Sequence, residues 1–186
     1  IVRILVSGYN TMVKEYSVTI GGTDMKGDAN MDGGVSILDV VATVAYIAEE
    51  DPQPFNFNLA DVNNDGQVDV SDIIGIVNII FGTYNLDNCS SNEAVYSIED
   101  GVLYVDSPVD IAGVQFIFSD SVAPVSELFG EMEVVSKRLT ADRYMFMAYS
   151  NDGNVISAGR NAILSVGDAI LRKIVLSDEF GCKITP

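Results

Sequence analysis

Asp28, Asn30, Asp32 and Asp39 occupy positions one, three, five and twelve of a short acidic stretch, and Asp61, Asn63, Asp65 and Asp72 repeat that spacing. Each residue of the second set follows its counterpart by 33 positions, as Asp61 follows Asp28, and the pairs Gly33/Gly66 and Val35/Val68 keep the same offset. A period of this size marks a duplicated structural unit. The alternating side chains all donate oxygen, the ligand of a hard cation, and calcium takes roughly six to eight oxygens at about 2.3–2.6 Å. Glycine at position six lets the backbone turn sharply enough to close a cage. Gly34 and Gln67, at position seven, supply carbonyls. Ser36 and Asp69, at position nine, bind directly or through water. Asp39 and Asp72 close the sites from the first turn of a helix. The spacing therefore predicts two calcium ions, with tighter binding in loop two, which has one carboxylate more. Without cations such crowded carboxylates repel.

The rest of the composition narrows the chemistry. The chain has 186 residues and a formal charge of -17, which argues against nucleic acid and anionic membranes as partners. Apolar residues make up 48%, enough for real cores rather than a disordered acidic tail. No apolar run is long enough to cross a bilayer, so no membrane insertion is expected. Histidine is absent, which removes the commonest general base and leaves Ser150 and Cys182 with nothing to activate them. Paired carboxylates can hydrolyse glycosides, but the best-defined ones here are assigned to calcium, and no enzyme is expected. The two cysteines, Cys89 and Cys182, flank the C-terminal half. They read either as a disulfide closing that half of an exported protein or as two independent thiols.

Three zones must position these loops. Residues 1–22 alternate like strands around Gly8-Tyr9-Asn10, predicting a β-hairpin, with Gly21-Gly22-Thr23 as a joint. A lone hairpin is marginal in water. It reads as the tail of an upstream immunoglobulin-like domain, or as extra strands for the C-terminal zone. The start, Ile1-Val2-Arg3-Ile4-Leu5, has no signal-peptide layout or initiator Met, as expected for a piece of a longer protein or a mature product. Residues 23–87 hold the repeats, each an acidic loop followed by an apolar helix, over 37–48 and 70–81. No helix is expected to enter either loop, since Gly21-Gly22 precede one and Pro52 and Pro54 the other. Val35 and Val68 are expected to pair the loops. Residues 88–186 read as an antiparallel β-sandwich of about seven short strands, with turns at Glu99-Asp100-Gly101, Asn151-Asp152-Gly153 and Gly167-Asp168. The stretch 121–130, interrupted by Pro124, reads as a loop or short helix. The fold class is multidomain, α and β.

Loop plus exiting helix, duplicated in about sixty residues, resembles dockerin, the calcium module that binds cohesins in cellulosome-type, polysaccharide-degrading assemblies of bacteria. The residues carrying the resemblance are Gly27-Asp28-Ala29-Asn30-Met31-Asp32-Gly33 with Asp39 and Tyr46-Ile47. They recur as Ala60-Asp61-Val62-Asn63-Asn64-Asp65-Gly66 with Asp72 and Ile79-Ile80. The departure from an EF-hand is Asp at position twelve and the missing entering helix. The resemblance implies two antiparallel EF-hand-type loop-helix units presenting a helix face to a cohesin-like partner. Loop positions ten and eleven help to select that partner. Here they are Ile37-Leu38 and Val70-Ser71, and with Ala45 and Asn78 they form the expected contact set, unless some of them fill the module's own core. The C-terminal zone distantly resembles a cohesin, through Ile111-Ala112-Gly113-Val114-Gln115-Phe116, 144–150 and 156–166.

The second helix is apolar almost all round, through Ile73, Ile74, Ile76, Val77, Ile79, Ile80 and Phe81. Such a helix must be buried all round. Its cover is either a cohesin-like domain in trans or the chain's own β-domain. The expected function is a calcium-dependent protein–protein interaction module at the surface of an exporting bacterium. The alternative is a calcium-rigidified spacer sealed against its own β-domain.

Overall fold

The computed structural model describes residues 2–6, 14–18, 25–125 and 128–186. At the N-terminus β1 (Val2–Val6) and β2 (Lys14–Val18) pair antiparallel, with Val2 opposite Val18 and Val6 opposite Lys14. The turn expected at Gly8-Tyr9-Asn10 and the joint at Gly21-Gly22-Thr23 lie outside the described residues.

Both repeats form the predicted helices, α1 (Ile37–Ile47) and α3 (Val70–Phe81). Each begins with a capping box that uses the loop's own ligands. Ser36 caps α1 with Asp39 reaching back, and Asp69 caps α3 with Asp72 reaching back. Positions nine and twelve, which the sequence assigns to the cation, thus also fix a helix start. Gly82 ends α3 in the left-handed conformation. One expectation is corrected. A single turn, α2 (Phe57–Ala60), enters loop two, because the Asn56 side chain accepts from the N–H groups of Asn58 and Leu59 just beyond the prolines.

After a 3-10 turn at Leu86–Asn88 the chain becomes β-rich. One sheet has the order β4 (Val95–Glu99), β5 (Val102–Ser107), β10 (Gly159–Ser165), β7 (Ala123–Pro124). The other runs β3 (Asn92–Glu93), β12 (Lys183–Thr185), β11 (Leu171–Ser177), β6 (Gly113–Phe118), β9 (Arg143–Tyr149), β8 (Glu133–Thr140). All pairings are antiparallel except β3 with β12. Asp100 and Gly101, both at positive φ, make the predicted β4–β5 hairpin turn. The stretch read as loop or short helix contains β7, an edge strand where proline leaves no ladder bond unmade. Inner faces of the two sheets share one core, built on Leu103, Val105, Phe116, Phe118, Phe146 and Leu164. That arrangement is consistent with a β-sandwich.

The six-stranded sheet is covered on its other face too. Along β6 every residue is buried, and alternation sorts them between two clusters. Val114, Phe116 and Phe118 face the inter-sheet core, while Ile117 joins a second cluster with Val70, Ile74 and Val77 of α3. In β9, Phe146 and Ala148 point inward and Met145, Met147 and Tyr149 outward. This period of two places an apolar floor beneath α3. Two glycines let the helix come close. A Cβ on Gly113 would stand 2.8 Å from Val70 Cγ2 and 3.3 Å from Ile74 Cγ1. One on Gly181 would stand 3.0 Å from Gly75 N and 3.1 Å from Ser71 O.

Polar contacts fix the register. The Val70 N–H, an orphan donor of the helix start, donates to Gln115 Oε1 on β6 at 3.1 Å. Asn78 donates to the Glu179 carbonyl at 2.9 Å. At the end of α1, Lys137 on β8 donates to the Ala48 carbonyl at 3.1 Å and pairs with Glu50 at 2.8 Å, and Arg143 pairs with Glu49 at 2.8 Å. A disulfide joins Cys89, just beyond the repeats, to Cys182 before β12.

Candidate metal centres and the two helix faces

The two acidic loops share one backbone hydrogen-bond pattern. In loop one the Asp28 carboxylate accepts from the N–H groups of Asp32 and Gly33, both at 3.1 Å. Asn30 Oδ1 accepts from Asp32 N–H at 2.8 Å, and Asp32 Oδ1 from Gly34 N–H at 3.1 Å. Asp39 closes the ring, accepting from Asn30 N–H at 3.0 Å and Ser36 N–H at 2.8 Å. Loop two repeats these bonds. Asp61 accepts from Asp65 and Gly66, Asn63 from Asp65, Asp65 from Gln67, and Asp72 from Asn63 at 3.5 Å and from Asp69, with a further, shorter bond to Asp72 from Val62 N–H at 3.0 Å. Both loops adopt positive φ at positions four (Met31, Asn64) and six (Gly33, Gly66). The first position needs a residue that tolerates the left-handed region, and the second takes glycine.

The repeats are tied to each other through their approaches. Gly27 N–H donates to the Leu59 carbonyl at 2.9 Å, and Asn56 N–H to the Ala29 carbonyl at 2.8 Å. Val35 and Val68 both lie half-buried against the cluster under α3. Lys26 donates to the Asp61 carbonyl and to Asn64 Oδ1, each at 2.6 Å.

Among the described residues, no three Asp, Glu, Cys or His side chains converge as a cage by themselves. The donor set of each loop is mixed instead, with carboxylates, the Asn30 or Asn63 amide oxygen and a position-seven carbonyl, a set that suits calcium. Burial supports a cation. Asp28, Asp39, Asp61, Asp69 and Asp72 are all buried, a costly state for carboxylates without a positive partner. Desolvation raises the Asp72 carboxyl to about 7, with the charges of Asp69 and Asp61 adding to it against backbone hydrogen bonds that lower it. Tyr84, whose hydroxyl donates to the Val62 carbonyl at 2.9 Å, is pushed up to about 12 by burial and by the charges of Asp72 and Asp61.

Among the described residues, loop two has a feature that loop one lacks. The Lys183 ammonium, from β12, lies 2.5 Å from Asp65 Oδ2 and 2.7 Å from Asp69 Oδ2. Burial works against its charge, yet the two aspartates outweigh that and hold its pKa above the ordinary lysine value. Asp69 Oδ2, fully enclosed, receives no aligned hydrogen bond. Nothing in the local sequence points to Lys183, although Cys182 beside it was one half of a foreseeable bridge to the end of the repeats.

The expected partner contacts divide between the helices. Ile37, Leu38 and Val41 are 55, 58 and 57% exposed, and Ala45 is half-buried beside them. Their counterparts on α3 turn the other way. Val70 and Ser71 are fully buried against the chain's own sheet, and Asn78 is held by the Glu179 carbonyl. Val70 sits on Gly113, and the backbone of Ser71 and Gly75 lies against Gly181. Only the last turn of α3 emerges, with Ile80 39% and Phe81 62% exposed.

Two like acidic loops, each feeding one helix, define a duplicated loop-helix module. Residues 26–80 match the family model described as Dockerin type I domain, and the chain thus carries a dockerin domain over that segment. The match spans under a third of the chain and does not extend into the β-rich region. No curated protein and no solved structure matches the chain. Dockerins are non-catalytic modules that bind calcium and engage cohesins. No helix among the described residues is long and apolar enough to cross a membrane.

Proposed function

We propose that this chain is a calcium-dependent assembly module of an exported protein, in which residues 23–87 form the dockerin unit and residues 88–186 a sandwich domain fastened to it. Residues 1–22 close an upstream immunoglobulin-like domain. Two calcium ions fold the unit, held by Asp28, Asn30, Asp32, Gly34, Ser36 and Asp39 in loop one. In loop two the set is Asp61, Asn63, Asp65, Gln67, Asp69 and Asp72. Binding energy becomes folding energy in such a unit. The disulfide supports an oxidising, extracellular setting.

The partner, a cohesin-like domain in trans, docks on α1. The observation that carries this is the contrast in exposure between Ile37-Leu38 and Val70-Ser71, which stand at the same loop positions. A row of apolar residues at i, i+4 and i+8 (Ile37, Val41, Ala45) is the pattern of a helix laid into a groove. It continues into a shallow groove of about 310 Å³ between α1 and β8, lined by Val44, Ala48 and Val135. The rigid-spacer reading is favoured by the burial of α3 against the sheet and by the contacts of Lys137 and Arg143 with the end of α1, but it leaves the exposed face at Ile37, Leu38 and Val41 unexplained.

The test is calorimetric binding of the full chain to a panel of purified cohesin domains, with saturating calcium or chelator. Wild type is expected to bind one of them only with calcium. Leu38→Asp is expected to weaken that binding by about thirtyfold or more, the effect of a central contact residue, with an unchanged unfolding midpoint. Ser71→Asp is expected to lower the midpoint instead. Full affinity in Leu38→Asp would remove α1 as the docking face. Calcium-dependent folding without binding to any cohesin would favour the spacer.

A further inference from the structure

Lys183 has the setting of a built-in group rather than of a free surface lysine. It begins β12, which is paired on both sides, with β11 and with β3. The residue before it is tied to Cys89, and Gly181 lies against the backbone of Gly75 and Ser71 in α3. The preceding turn is held by Asp178 Oδ1, which accepts from Phe180 N–H at 3.0 Å and Cys182 N–H at 2.9 Å. The backbone therefore aims the side chain at loop two.

The oxygens it meets are the ones a cation would use. In Asp65, Oδ1 is taken by Gln67 N–H, and in Asp69, Oδ1 is taken by the N–H and hydroxyl of Ser71. Both free Oδ2 atoms face the Lys183 ammonium. Loop one is different. Among the described residues, Asp32 Oδ2 accepts from the neutral Asn30 amide alone, at 3.1 Å, and position nine is Ser36. The ion pairs that touch a calcium loop among the described residues both fall on loop two.

We infer that Lys183 is an internal competitor for the cation of loop two, which makes loop two the weaker calcium site although it has more carboxylates. The inference rests on the calcium reading of the loops given above. Calcium entering loop two must share Asp65 and Asp69 with a fixed positive charge or displace it, and either costs affinity. The extra carboxylate, Asp69, is neutralised by Lys183. As calcium falls, loop two empties first, and the ammonium keeps its aspartates paired and the start of α3 seated on the sheet. Calcium control of the module then resides in loop one, whose helix carries the exposed face.

Calorimetric titration of the metal-stripped full chain with calcium tests this. Wild type is expected to show two binding steps of unequal affinity. Lys183→Met should tighten the weaker step by about tenfold and leave the other in place, while Lys183→Arg should keep the wild-type pattern. Lys183→Gln, which retains hydrogen-bond donors without charge, repeats the comparison should the methionine variant fold poorly. A weaker step that is unchanged or weakened in both neutral variants overturns the inference. Absence of any calcium binding by wild type overturns the calcium reading itself, a distinct result.

Discussion

Replacing Gly113 by alanine puts the contact between the dockerin helix and the β-rich region to a direct test. The position is in the middle strand of a sheet with no positive φ, where an isolated strand would accept alanine without penalty. The added Cβ, however, would meet Val70 Cγ2 at 2.8 Å, Ile74 Cγ1 at 3.3 Å and Ser177 Cβ at 3.4 Å. Val70 is fully buried and β-branched, so it has no free rotamer to escape into. Overpacking of this kind costs about 1–3 kcal/mol. For a chain of this size that is a fall of roughly 2–4 °C in unfolding midpoint per kcal/mol. Val70→Ala alone removes two buried methyls and should cost about 2–3 kcal/mol. The two changes should not add. In the Val70→Ala background the new methyl enters the space just vacated, so Gly113→Ala becomes close to neutral and the cycle shows a coupling of about 1 kcal/mol or more. Urea unfolding in saturating calcium, followed by far-UV circular dichroism, gives all four values. A Gly113→Ala cost below about 0.5 kcal/mol, or strictly additive changes, would refute the seating of α3 on β6.

Two further outcomes follow from the buried carboxylates and the bridge. The Asp72 carboxyl titrates near 7 in the folded protein without metal, above its ordinary value, so the folded state binds its proton more tightly than the unfolded chain does. Its contribution is therefore fully present below about pH 4 and lost as pH rises through 7. In chelator, wild type should lose stability between pH 5 and 8, and Asp72→Asn should flatten that slope. An unchanged slope in the variant would acquit Asp72. Replacing both cysteines with serine should cost about 2–4 kcal/mol, since the Cys89–Cys182 bridge closes a long loop around the whole β-rich region. Denaturant unfolding of the variant with calcium present checks it.

The loops were legible because liganding leaves little freedom. Oxygen donors must alternate, glycine must sit at the turn, and a second copy at a fixed offset repeats the requirement. Helix extents followed from the apolar stretches 37–48 and 70–81 after each loop, close to the observed Ile37–Ile47 and Val70–Phe81. Other features left no such trace. Strands β3, β7 and β12 are two or three residues long, too short for a period of two to register. The α2 turn was hidden by Pro52 and Pro54, whose restrictive effect ends before the Asn56 cap. Gly113, Gln115 and Gly181 look like ordinary strand and turn residues. Only the packing shows that they form the seat of α3. The role of Lys183 depends on a contact that spans more than a hundred residues of sequence.

The duplication also explains why one helix can be spent inside the molecule. Two equivalent loop-helix units present two equivalent faces, and a partner that uses either one leaves the other unused. In this chain the residues after the two position-nine caps have diverged in size. Ile37 and Leu38 follow Ser36, whereas Val70 and Ser71 follow Asp69. Val70 fills the close approach over Gly113, where its Cγ2 would stand 2.8 Å from an added Cβ. The same divergence reaches the loops, because the Asp69 carboxylate that replaces Ser36 is the one that Lys183 meets. On the proposed reading, helix seating and cation competition are therefore changes at one end of one repeat. Together they would turn a two-faced module into a one-faced module, with α3 packed on the β-rich region and the exposed face of α1 left for recognition.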